Sequence, residues 1–328
     1  MKLGSLKSSN NPDGELIVVS RNLKKAVKAT SVASSLRAAL ENWKNSEPQL
    51  RKISAQLDAG TAAQAFDVNE KDLHSALPRT WLFADGSSFI YHIKLVRKSR
   101  NAALPETLTT VPLIYQGECG RFLDPLEDIP QVDFSHGTDF EGEVGVIVNF
   151  VPMGTTAEEA IKHIQLVVLI NDVSLRGLIP EELGQGFGFF QSKPASALSP
   201  FAVTPDELGA DWKEARLHLP LDIQYNGKFF GKANAGEMHF HFGQLIAHAA
   251  RTRDLQAGSL IGSGTVSNEN PEMGSSCLAE KRMIEQIKTG KIETPFMKID
   301  DTIEISMKSA SGENIFGRIF QKVKSAKK

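Results

Sequence analysis

Cysteine is nearly absent from this sequence: Cys119 and Cys277 are the two in 328 residues, and neither belongs to a C-x-x-C pair. That excludes a disulfide framework and leaves a reduced, cytoplasmic protein as the expectation. No apolar run approaches the roughly 20 residues needed to span a bilayer, and residues 1–7 lack the apolar core of a signal peptide. Neither sign of charge is in excess. The net charge of −2 gives no reason to expect nucleic acid or another polyanion as partner. Internal repeats and low-complexity segments are missing too. Strand patterns do not alternate regularly with helical ones, which argues against a doubly wound, Rossmann-like sheet. The glycine-rich pieces at 185–194 and 262–265 lack the G-x-x-x-x-G-K-[ST] spacing of a phosphate loop. Both read as turns that let backbone approach a ligand closely.

What is present is ordinary for a globular chain, with 41% hydrophobic and 23% charged residues. The length suits one large domain and a smaller one. Residues 1–77 read as the small domain. It opens with a hairpin, 2–7 and 15–20, around the turn Asn11-Pro12-Asp13-Gly14. Two helices are expected over 31–57, broken around Ser46-Glu47-Pro48. From about Pro78 the texture changes to short Val/Ile/Phe strands, with helices expected at 158–163 and 243–251. The basic tail, 322–328, reads as a solvated terminus. The fold class is therefore α+β and strand-dominated.

The chemistry concentrates between residues 139 and 193. Asp139-Phe140-Glu141-Gly142-Glu143 runs directly into an apolar strand pattern over 144–150, and a second buried strand ends in Asn171-Asp172. Alternation along a strand puts Glu141 and Glu143 on one face, roughly 7 Å apart. Two carboxylates so placed repel unless a cation intervenes, and hard divalent ions take oxygen ligands. An exposed strand edge is the plainer reading of a lone E-x-E. The apolar strand behind it and the third acid, Asp172, favour a carboxylate-bound metal. Asp85 and His92 stand upstream, the histidine being a candidate base or a half-buried structural residue. His239 and His241 form an H-x-H pair that zinc could use, but no third nitrogen or sulfur ligand stands at a telling spacing.

Asp85 with His92 seven residues on, then Tyr115, Glu141-x-Glu143, Asn171-Asp172-x-Ser174-x-Arg176, Ser192-Lys193 and Gly264-Thr265-Val266-Ser267 together resemble the fumarylacetoacetate hydrolase family. The resemblance covers about 78–320 and is nearest to the bacterial fumarylacetoacetases of tyrosine and phenylalanine catabolism. It implies a mixed β-roll catalytic domain over 78–328, an SH3-like N-terminal domain over 1–77, and a homodimer. It further implies a Mg²⁺ or Ca²⁺ site, with Mn²⁺ also possible, on Asp85, Glu141, Glu143 and Asp172. His92 would be the general base, oriented by a glutamate in the 272–280 region, with Glu280 preferred over Glu272. Arg176 and Lys193 would hold an oxyanion; Tyr115, Thr265 and Gln191 would grip the substrate.

Two departures stand out. Ile179 occupies the place of a glutamine, whose contact Gln185 or Gln191 would have to supply, and Ser87 replaces an expected tyrosine. The implied reaction is hydrolytic cleavage of a carbon–carbon bond in a 1,3-diketo acid, with fumarylacetoacetate leading. Acylpyruvate or fumarylpyruvate hydrolysis, 2-keto-4-pentenoate hydration and oxaloacetate decarboxylation are alternatives on the same scaffold. A ligand-binding homologue without turnover is the alternative of a different class. A small-molecule diketo acid is the expected partner.

Overall fold

The computed structural model describes residues 1–99 and 103–326. The hairpin forms as β1 (Lys2–Leu6) and β2 (Glu15–Val19), paired from Lys2↔Val19 to Leu6↔Glu15. Asn11 closes the turn: its Oδ1 accepts from Asp13 N at 3.0 Å and its carbonyl from Gly14 N at 2.9 Å. Gly14 has φ +68°, which glycine adopts without a steric penalty. β3 (Lys25–Lys28) follows, then α1 (Leu36–Glu41) and α2 (Trp43–Asp58). The two helices are there, but the break lies at Asn42 and Pro48 sits inside α2. Proline deletes only the bond to the carbonyl of Lys44, an exposed residue whose oxygen water can satisfy.

The strands then succeed one another with few helices: β4 (Phe66–Asp67), β5 (Phe83–Gly86), α3 (Ile90–Ser99), β6 (Ile114–Gly117), β7 (Ile129–Gln131), β8 (Thr138–Asp139) and β9 (Gly142–Val148). Next come α4 (Ala157–Ala160), which runs into a 3₁₀ turn over Ile161–His163, β10 (Ile164–Asn171), β11 (Ser174–Leu175), α5 (Ile179–Gln185), β12 (Ala197–Leu198) and β13 (Phe201–Val203). β14 (Trp212–Lys213), β15 (Arg216–Leu217), β16 (Pro220–Tyr225), β17 (Lys228–Asn234), α6 (Phe242–Ala249), β18 (Leu260–Gly262), α7 (Leu278–Thr289), β19 (Thr302–Lys308) and β20 (Asn314–Ser325) complete the chain.

The strand-dominated α+β expectation holds. The large sheet is ordered β4-β3-β2-β1-β13-β10-β9-β18-β5-β6 with β12 beside β10, and it is mixed, since β18 and β5 run parallel. A second sheet is ordered β17-β16-β19-β20-β7. The structure does not confirm an SH3-like barrel over 1–77: β1 pairs with β13, so β1–β4 extend the large sheet. The tail also differs from expectation. β20 carries residues through Ser325, with Val323 fully buried and Lys322 and Lys324 turned toward Asp300. Residues 327–328 of that expected tail lie outside the described residues.

β9 and β10 are buried throughout, apart from half-buried Gln165 near the start of β10, and pair residue for residue near the site, Glu143 opposite Ile170 and Gly142 opposite Asn171. On the other side of β9 lies β18, then β5, with Gly262 registered against both Gly145 and Asp85. A Cβ on Gly262 would sit 2.1 Å from Asp85 Oδ1, so only glycine leaves room for that carboxylate. Four adjacent strands thus bring Asp85, Glu143 and Asp172 to one end of the sheet.

Candidate active site

Asp85, Glu143 and Asp172 are buried and present carboxylate oxygens within 4.8 Å of one another. Glu141 stands between β8 and β9, its carbonyl accepting from Asp172 N at 2.9 Å. Lys193 bridges the group: its Nζ donates to Glu141 Oε2 and Ser174 Oγ, each at 2.7 Å, and to Asp172. Arg176 donates from Nε to Asp139 Oδ2 at 2.9 Å and from Nη2 to Glu141 Oε1 at 2.5 Å. Ser196 Oγ and Tyr115 Oη donate to the two oxygens of Asp172, each at 2.7 Å.

These contacts divide the acids electrically. Burial alone would raise Glu141, but Arg176 and Lys193 hold it well below the usual carboxylate range. Burial pushes Asp85 and Glu143 well above that range, and neighbouring negative charge adds to it: Asp172 for Asp85, Asp85 for Glu143. Asp172 is also raised by burial, with Lys193 opposing. Among the described residues no ion pair reaches Asp85 or Glu143, and both oxygens of Glu143 are buried with no hydrogen-bond partner. Orphaned anionic oxygens of this kind are costly, and a hard divalent ion satisfies them. The donor set fits such an ion: Asp85, Glu143 and Asp172 would hold it, with Glu141 at the side.

His92 lies in the first turn of α3, and its Nδ1 is 3.1 Å from Glu280 Oε2 on α7. A carboxylate only accepts, so Glu280 fixes the proton on Nδ1 and leaves the Nε2 lone pair free. Glu280 is thereby placed as the partner of His92. Glu272 is exposed on a 3₁₀ turn and is not.

A cavity of about 450 Å³ opens onto this group. Asp85, His92, Tyr115, Glu141, Arg176, Lys193 and Thr265 line it, along with Ser87. Ile93, Val96, Leu113, Ile114, Ile179, Leu183 and Phe189 add apolar lining, and Arg97 adds a further cation. The Tyr115 ring packs edge-on against Phe189 at 5.2 Å and lies 5.1 Å from Lys193 Nζ.

Several expectations need correction. Gln191 is exposed and does not line the cavity, because Glu182 accepts from the backbone N–H groups of Phe190, Gln191 and Ser192 and holds that loop outward. Gln185 is exposed at the end of α5, so neither glutamine replaces the contact missing at Ile179. Lys193 has all three N–H donors engaged by Glu141, Asp172 and Ser174, so in this arrangement it holds the acids rather than an oxyanion. His239 and His241 belong to no metal-capable group among the described residues; His239 Nε2 instead faces the Thr109 carbonyl at 2.9 Å. Sequence reasoning also missed Asp139, the buried partner of Arg176, and Cys277, whose Sγ caps α7 by accepting from Glu280 N at 3.3 Å. Alternation of Asp139 with Glu141 was the available signal for the first; the second had none.

Comparison with known proteins decides the lineage. Residues 82–324 match the family described as fumarylacetoacetate (FAA) hydrolase C-terminal, and residues 1–79 match fumarylacetoacetase N-terminal domain 2. The chain belongs to the fumarylacetoacetate hydrolase family. Within it, 2,4-didehydro-3-deoxy-L-rhamnonate hydrolase of Sphingomonas sp. (strain SKA58) is 26% identical over 212 residues, 64% of this chain and 72% of that protein. A Burkholderia lata protein is 33% identical over 157 residues, so the match spans 47% of this chain and 53% of the relative.

Solved structures of the same fold include maleylpyruvate hydrolase from Sphingobium sp. SYK-6, with TM-score 0.65, 15% identity, and 99% and 100% of the two chains covered. A further structure of that hydrolase, in complex with manganese(II) ion and pyruvate, aligns with TM-score 0.64 and 14% identity over the full length of both chains. 5-Carboxymethyl-2-hydroxymuconate delta-isomerase from Mycobacterium smegmatis aligns with TM-score 0.62 and 15% identity, again over both full chains. Among the described residues no helix is long and apolar enough to cross a membrane.

Proposed function

We propose that this protein is a divalent-metal-dependent hydrolase that cleaves a carbon–carbon bond in a 1,3-diketo acid, with fumarylacetoacetate as the first substrate to test. Fumarate and acetoacetate would be the products, as in tyrosine and phenylalanine breakdown, and the working form would be a homodimer. The observation that carries this reading is the His92–Glu280 pair at a cavity that Asp85 and Glu141 also line, with the oxygens of Glu143 and Asp172 within 4.8 Å of that of Asp85. A pure binding site has no use for a buried, oriented base.

His92 Nε2 takes a proton from water, and Glu280 steadies the imidazolium that forms. The oxygen adds to a substrate carbonyl carbon. Arg176, which lines the cavity, supplies positive charge beside the oxyanion that develops. The carbon–carbon bond then breaks, its electron pair leaves on the methylene as an enolate, and the imidazolium returns the proton to carbon. Thr265 and the Tyr115 ring bound the space for the substrate, and Ile179, Leu183 and Phe189 give it an apolar lining. A divalent ion on Asp85, Glu143 and Asp172 would supply Lewis-acid polarisation of the diketone oxygens.

Acylpyruvate hydrolysis is the second reading. The apolar lining, including Ile179 where the resemblance leads one to expect glutamine, suits a non-polar acyl group. Loss of diketone absorbance on fumarylacetoacetate and on a series of acylpyruvates, with and without EDTA, separates the two. His92→Ala should lower kcat by about two to four orders of magnitude while melting temperature and Mg²⁺ affinity stay put. An active but unstable variant would return His92 to a packing role.

A further inference from the structure

We propose that His92, Glu141 and Cys277 form a second metal site, which selects a soft divalent ion of the Zn²⁺ class. One donor atom from each lies within 4.8 Å of the other two, and all three residues are buried. Nitrogen and sulfur suit an ion bound at about 2.0–2.3 Å once the side chains close on it, and Glu141, whose oxygens accept from Arg176 and Lys193, would share its charge with that ion. The acidic cluster beside it offers oxygen alone and so favours hard ions; a thiol and an imidazole favour soft ones.

A second observation points the same way. Glu280 is fully buried and its Oε2 holds His92 Nδ1, which is how metal-ligating histidines are usually oriented. Its other oxygen, Oε1, has no hydrogen-bond partner, an uncompensated acceptor that nearby positive charge would relieve. The entry route exists, since His92 and Glu141 line the cavity. Burial, with Asp139 adding to it, raises the Cys277 thiol well above its usual range, so an ion must expel that proton on binding. An ion seated here occupies the imidazole, so a bound soft metal would block turnover; that consequence rests on the reaction proposed above, whereas the site itself does not.

The test is titration of Co²⁺ into the Mg²⁺-saturated full chain, followed in the near ultraviolet. Expected is an intense thiolate-to-cobalt charge-transfer band that saturates at a single equivalent. Cys119→Ser should keep it. Cys277→Ser, which preserves an oxygen cap for the Glu280 N–H, should abolish it. His92→Ala should weaken Co²⁺ binding at least about tenfold with the melting temperature retained, and Glu280→Gln by about 10–100-fold. Absence of the band in the wild-type protein, its survival in Cys277→Ser, or unchanged Co²⁺ affinity in His92→Ala overturns the proposal. If the band forms and Zn²⁺ fills the site without slowing diketo-acid cleavage, the site stands and the role of His92 as base falls.

Discussion

Asp139 and Glu143 lie within one five-residue stretch and are both fully buried, yet the protein treats them in opposite ways. Asp139 accepts from Leu278 N at 2.8 Å, Ala279 N at 2.9 Å and Arg176 Nε at 2.9 Å. Glu143 accepts from nothing. The first is a completed ion pair that ties the start of α7 to the loop after β11. The second is a carboxyl without a hydrogen-bond partner, which burial and the neighbouring acids push toward its protonated form. Two buried carboxylates of similar depth therefore serve different ends, and counting partners tells them apart where burial does not.

The largest effect should follow from breaking the completed member. Asp139→Asn leaves Arg176 buried without its full counter-charge and should cost about 3–5 kcal/mol of stability, with or without Mg²⁺, in denaturant unfolding. A loss below 1 kcal/mol would mean that solvent reaches the pair. Glu143→Gln should do the reverse. Mg²⁺ affinity by calorimetry should fall at least about tenfold, or ~1.4 kcal/mol, and chelator-stripped protein should become more stable than stripped wild type. Wild-type Mg²⁺ affinity in this variant would remove Glu143 from the ligand set.

The smallest effect concerns pH. Burial and mutual repulsion raise Asp85 and Glu143, so between the ordinary carboxylate range and their raised values the native state holds more protons than the unfolded one. Stability of the stripped protein should therefore fall as pH rises through that window. Glu141 acts with the opposite sign, but its change lies below the ordinary carboxylate range and outside the window. Melting temperatures measured from mildly acid to neutral pH should slope downward after chelation and flatten when Mg²⁺ is restored. An upward slope in stripped protein would contradict the assignment.

Legibility in the sequence followed locality. β9 and β10 announce themselves as Val/Ile runs with acids at their ends, so Glu143 and Asp172 could be read directly. The contest between Glu272 and Glu280 could not be settled there, because the bond to His92 joins residues 188 apart and depends on how α7 packs against α3. Gln191 stood as one substitute for the glutamine missing at Ile179, but the pull of Glu182 on the loop backbone leaves no local trace in composition. The hairpin at the N-terminus was visible; its attachment to β13 was not, since alternating apolar residues say nothing about which edge they will join.

That attachment has a practical outcome for anyone dividing the molecule. β13 is three residues, Phe201–Val203, each matched to β1 through Gly4, Leu3 and Lys2. Cutting away 1–77 would strip those partners and leave open backbone amides and carbonyls alongside the apolar faces of Phe201, Ala202 and Val203. A 78–328 fragment would thus acquire a raw, sticky margin in the middle of what is normally a continuous sheet. Self-association of that fragment is the natural outcome, and the N-terminal strands act as its built-in cover.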